Sequence, residues 1–155
     1  ETMKLITRVQ RLYEEESTKG QVTDELTFSL LDAFRREKDQ IQAFKQYFSS
    51  DKSIVSQLNK YDEPEVQQLM DKEGLQFCLN IHLAMQKGET PDSLYTKELV
   101  QCLVKRNPEL RKMLGIVKDD AFIQRHSNLF NTYFPEELGD FMYTALTNYL
   151  HGEEE

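Results

Sequence analysis

Gly88-Glu89-Thr90-Pro91-Asp92-Ser93 is the stretch on which the fold turns. Glycine, proline and short polar side chains belong to turns and helix ends, not to strand interiors. Upstream, Val66, Leu69, Met70, Phe77, Ile81 and Met85 recur along one helical face to about Lys87. Downstream, Leu94, Leu99, Cys102 and Leu103 repeat that pattern, with Tyr95 on a flank. Gly88 is placed for a left-handed helix end. Thr90-Pro91 is placed as a cap followed by a proline, whose missing N–H is no loss in a first turn. The stretch therefore reads as a tight joint between two helices.

Outward from the joint the same signals recur. Tyr61-Asp62-Glu63-Pro64 predicts the start of the helix that ends at Gly88. Gly74 lies inside that helix at a cost of about 1 kcal/mol against alanine, which predicts close approach by another backbone. Residues 24–48 predict a long helix with Asp24 as cap and Leu30, Phe34, Ile41, Phe44 and Phe48 along its apolar face, widened by Leu26, Phe28 and Leu31. Ser49-Ser50-Asp51 breaks it and caps a short helix carrying Ile54, Val55 and Leu58. Residues 3–16 predict a helix with Leu5, Val9 and Leu12 on one stripe. A single short stripe forms no core alone, so residues 1–20 read as an arm or linker.

Toward the C-terminus, Asn107-Pro108 opens a short helix with Leu110, Met113 and Leu114, closed by Gly115. Asp119 and Asp120 cap the next, with Phe122, Ile123, Leu129, Phe130, Tyr133 and Phe134. Pro135 begins the last, with Leu138, Phe141, Met142, Ala145, Leu146 and Tyr149. No segment alternates with the two-residue period of a strand. The fold class is all-α: six to eight helices, with one domain over residues 21–150 and a frayed acidic tail over 151–155.

At 155 residues the chain is about one domain, with or without a helical arm. It begins Glu1-Thr2-Met3, which fits a piece of something longer as well as a stand-alone protein. No apolar run approaches the roughly 18 residues needed to cross a bilayer, and no secretory segment opens the chain. The net charge of −8 repels phosphate backbones, so this segment is not expected to bind nucleic acid. The same charge serves solubility. Cys78 and Cys102 both fall in apolar helical patterns and read as buried free thiols in a reducing cytoplasm.

Catalysis needs a nucleophile, a base and a group that stabilises charge, gathered in a cleft. His82, His126 and His151 show no such partners and no metal-motif spacing. Cys78 and His82 are one turn apart but supply only two ligands. The glycines are scattered, so no phosphate loop is present, and Asp62-Glu63 and Asp119-Asp120 read as favourable charges at helix starts. The chain reads as no enzyme, with no cofactor and no metal. Aromatic residues are the remaining lead. Phe122, Phe130, Phe134 and Phe141 read first as core. Tyr95, Tyr133, Tyr143 and Tyr149 suit the rim of a pocket between helices. The candidate ligand-binding set is Phe77, Tyr95, Phe122, Phe130, Tyr133, Phe141 and Tyr149. An acidic rim there would favour a cationic ligand, helped by cation–π attraction to tyrosine faces.

From about Tyr61 to Leu150 the chain resembles the TipA-type effector domain at the C-terminus of MerR-family transcription regulators. The resemblance rests on Met85-Gln86-Lys87-Gly88-Glu89, then Pro91-Asp92-Ser93, Leu114-Gly115, Asp119-Asp120-Ala121-Phe122 and Tyr133. Leu138, Phe141, Ala145 and Tyr149 continue it through the last helix. It implies a globin-like helical fold that senses hydrophobic or peptide antibiotics in a cleft between helices. The signal would pass to a DNA-binding domain absent from this chain; some relatives stand alone and sequester the drug. Residues 3–16 would then be the tail of a connecting helix through which two copies pair. The thiol some relatives use for covalent capture has no matching position here. Two other readings remain open: a helical interaction domain whose aromatic groove receives a partner helix, and a haem carrier using His82 or His126.

Overall fold

Eight α-helices account for most of the residues described by the structure, a computed structural model that covers residues 2–15, 24–127 and 136–154. They are α1 (Thr2–Glu15), α2 (Asp24–Tyr47), α3 (Lys52–Asn59), α4 (Pro64–Gln86), α5 (Leu94–Arg106), α6 (Pro108–Leu114), α7 (Asp120–Arg125) and α8 (Glu136–Glu154). Short 3-10 turns at Lys60–Asp62 and Gly115–Lys118 lead into α4 and α7. Among the described residues there is no strand, so the chain is an all-α helical bundle.

Local chemistry sets most helix ends. The carboxylate of Asp51 accepts from the backbone N–H of Ser53 and Ile54 at the start of α3. Pro64 stands in the first turn of α4. Gly88 takes φ +80, its N–H donates to Met85 O, and the N–H of Glu89 donates to Ala84 O. Those two bonds satisfy the carbonyls of Met85 and Ala84 in the last turn of α4, as a left-handed cap does. At the next start the expected cap moves: Ser93, not Thr90, receives the N–H of Thr96. The carbonyl of Thr90 instead accepts from the hydroxyl of Thr96, whose side chain is fully buried, so Pro91 lies in the turn before α5 and not within it. Asp119 accepts from the N–H of Phe122 and caps α7. Gly115 keeps right-handed geometry and carries α6 into the second 3-10 turn instead of closing it. The tail expected to fray is helical through Glu154, beyond Leu150, which is buried.

Three apolar clusters hold the helices together. Val9 and Leu12 of α1, Leu26 and Leu30 of α2, and Leu75 and Leu79 of α4 form the first. The segment expected as an arm is thus docked: α1 lies antiparallel to α2 and parallel to α4, with two side chains buried in their seam. Phe77 and Ile81 of α4, Val100 and Val104 of α5, and Leu138, Phe141 and Ala145 of α8 form the second. Ala43 near the end of α2, Ile116 and Phe122 form the third. Gly74 is exposed, and a Cβ there would meet nothing within 4 Å. The close backbone approach expected at this glycine does not occur, because neighbouring helices pack on other faces of α4.

Candidate functional site

The aromatic residues singled out in the sequence are distributed over the bundle. Phe77 and Phe141 are buried in the second cluster, and Tyr149, half-buried, packs against it. Phe122 belongs to the third cluster, where Tyr47 meets its ring edge-on at 4.7 Å between centroids. Tyr95 is exposed, with Lys87 Nζ 5.4 Å from its ring centroid. Tyr143 is exposed. Phe130 and Tyr133 lie outside the described residues. Three of the seven therefore share one core. The physical reason is periodicity: a stripe of rings at helical spacing meets whichever neighbour faces it, and α4 and α8 meet each other and α5 while α7 meets the end of α2.

A cleft does exist, in a place the aromatic pattern did not indicate. Between α1 and the N-terminal part of α4 lies a groove of about 450 Å³. Met3, Lys4, Leu5, Thr7, Arg8, Arg11 and Leu12 line one wall, and Pro64, Gln67, Gln68 and Asp71 line the other. Both walls follow from helical spacing. Residues 4, 8 and 11 fall on one face of α1, and 64, 67, 68 and 71 fall on one face of α4. Of the apolar lining, Leu12 is buried and Leu5 half-buried. That basic stripe at i, i+4 and i+7 was readable in the sequence as one wall; that α4 stands opposite it was not.

Arg8 fixes the width of this groove. Its guanidinium donates from Nε to Asp71 Oδ2 and from Nη2 to Asp71 Oδ1, both at 2.7 Å. Nη2 also donates to Glu37 Oε2 at 2.8 Å, and Gln67 Nε2 donates to Glu37 Oε1 at 3.4 Å. The guanidinium carbon sits 3.7 Å from the ring centroid of Phe34. One side chain thus ties α1 to both α2 and α4. Burial works against its charge, but the bonds and charges of Asp71 and Glu37 outweigh burial and raise its pKa. The planar fork matches a carboxylate at two points, a geometry that lysine cannot supply.

A second, smaller hollow of about 180 Å³ lies where the start of α6 meets α4, between Tyr61, Met70, Glu73, Leu103, Asn107 and Met113. Asn107 Nδ2 donates to Glu73 Oε2 at 3.0 Å and to Leu103 O at 3.1 Å, spanning the break between α5 and α6. Burial raises the pKa of Tyr61, and the negative charges of Glu37 and Glu73 raise it further. No family model, curated protein or solved structure matches the chain.

The polar residues considered for chemistry stay apart. Cys78 is buried, and burial pushes its thiol up to about 12, so it is held as a neutral S–H. Cys102 is exposed, contrary to the expectation that both thiols are buried: residues 100 and 104 of α5 face the core, and 102 points the other way. His82 Nε2 lies 3.2 Å from Gln86 Nε2, one turn along the same helix. His126 stacks at a tilt on Phe122 with centroids 4.6 Å apart. Among the described residues no three metal-ligating side chains converge, and no buried side-chain nitrogen or oxygen lacks a hydrogen bond. No described helix is long and apolar enough to cross a membrane.

Proposed function

We propose that the chain is a ligand-sensing effector domain of a bacterial transcription regulator, which takes a small lipophilic molecule such as an antibiotic between helices. The observation that carries the reading is the groove between α1 and α4. Its volume of about 450 Å³ falls in the usual range for small-molecule sites, roughly 300–1,000 Å³. It combines apolar side chains with a few fixed polar groups, the mix that gives such sites both affinity and orientation. The family resemblance supplies the class of function, including recognition of DNA through a separate domain. In that class α1 stands where the helix from the DNA reader arrives. A molecule wedged between α1 and α4 would bear directly on that helix, against the restraint of Arg8.

A thermal-shift panel of lipophilic antibiotics tests the proposal. A ligand at a hundred times its Kd stabilises the folded state by about 2.7 kcal/mol, which a melting curve resolves easily. Gln68→Trp, which fills the groove from the α4 wall, should remove the shift. A broad panel that gives no shift at high excess would sink the reading.

The second reading, a surface for a partner helix, is favoured by a different observation. Met3 and Ile6 on α1 and Leu69 on α4 are exposed. A second copy of α1 is the partner suggested by the resemblance, and M3E/I6E would then shift sedimentation toward the monomer.

A further inference from the structure

We propose that the groove between α1 and α4 selects an anionic amphiphile, a carboxylate or phosphate head on an apolar tail. This rests on the ligand-sensing reading above and names the chemistry of the ligand. It also reverses the sign expected from the acidic composition.

The groove has a charge opposite to that of the chain. The chain carries −8, yet α1 turns Lys4, Arg8 and Arg11 into the groove, and α4 answers with Asp71 alone. Asp71 is committed to Arg8 by two hydrogen bonds, and Glu37 of α2, behind the groove, completes the neutralisation of that guanidinium. Lys4 and Arg11 make no ion pair among the described residues. They flank Arg8 on the same wall. Asp62, Glu63 and Glu65 are exposed around the start of α4, and none of them lines the groove. Pro64 does line it, at the positive end of the α4 dipole.

The remaining lining suits a tail. Leu12 is buried, and Leu5, Met3 and Pro64 add further apolar surface to the lining. A head group held by Lys4 and Arg11 would leave a tail lying over Leu5 and Leu12. Anion attraction here is local: the field of the whole molecule opposes it, so a non-specific preference for anions is not expected.

The test uses four decyl compounds below their aggregation threshold: decanoate, decyl phosphate, decanol and decyltrimethylammonium. Binding to the full chain is followed by calorimetry, with circular dichroism to confirm that each variant is folded. The expected result is one saturable site for decanoate or decyl phosphate, about tenfold tighter than for decanol and tighter still than for the cation. The better of the two acids identifies the head group. The charge-swapped variant K4E/R11E, which leaves Arg8 and its partners in place, should reverse the order. Equal or better binding of the cation by the unaltered chain, blocked by Gln68→Trp, would overturn the charge assignment and leave the groove as a ligand site. Binding by none of the four, or binding that Gln68→Trp leaves unchanged, would remove this inference. In that case the antibiotic panel would decide separately whether the sensing reading survives.

Discussion

Arg8 joins three helices through one side chain, and its replacement separates charge from packing. Arg8→Leu leaves Asp71 and Glu37 partly buried without their cation, and the side chains of all three are mostly shielded from water. The expected loss is about 3 kcal/mol in urea denaturation. The paired variant R8L/D71L should recover part of that loss, since it also removes a stranded carboxylate. Alkaline pH acts on different residues. The thiol of Cys78 and the phenol of Tyr61 are both neutral when protonated, and burial raises both pKa values in the folded state. A raised pKa of this kind contributes stability that is complete below the unfolded value and lost as pH rises toward the folded one. Stability should therefore decline as pH climbs from about 9 toward 12, the ordinary and folded values for Cys78. Cys78→Ala should flatten part of that decline when denaturation midpoints are compared across the range.

Two glycines on or just after α4 give opposite expectations at the scale of the element. Gly74 is helical and exposed, with open space around its missing Cβ. Gly74→Ala should stabilise by about 0.5–1 kcal/mol, because alanine loses less backbone entropy on folding. Gly88 sits at φ +80, where a Cβ is strained whatever the space around it. Gly88→Ala should destabilise by about 1 kcal/mol. Thermal melts of the two variants should move in opposite directions. The contrast also shows which features were legible in the sequence. Gly88, Pro64, Asp51 and Asp119 act on backbone groups within a few residues, so their roles could be read from neighbours alone. Gly74 could not be read, because its role depends on which face of α4 the other helices cover. Thr90 failed for a related reason: Thr96, six residues on, draws its carbonyl into the joint.

At the scale of the molecule, α4 is the shared wall of two cores. Leu75 and Leu79 enter the cluster with α1 and α2, while Phe77 and Ile81 enter the one with α5 and α8. Leu75→Ala and Ile81→Ala should each cost about 2–5 kcal/mol and lower one common transition, followed by circular dichroism and by hydrogen exchange of the α4 amides. Two separated transitions would show that the halves unfold apart. The helices and the apolar faces of this arrangement were legible, since period and caps are local. The groove was not, because it depends on Arg8 meeting Asp71 and Glu37, which are 63 and 29 residues away. The partition of the candidate aromatics between two clusters and the surface was hidden for the same reason. Cys78 stands on α4 between those two cores, sealed from solvent, while Cys102 is open to it. A thiol-specific dye would therefore label one sulfur within the mixing time and wait for the bundle to part before reaching the other. The chain carries its own stopwatch, and the lag before the second label reads directly how often α4 is laid bare.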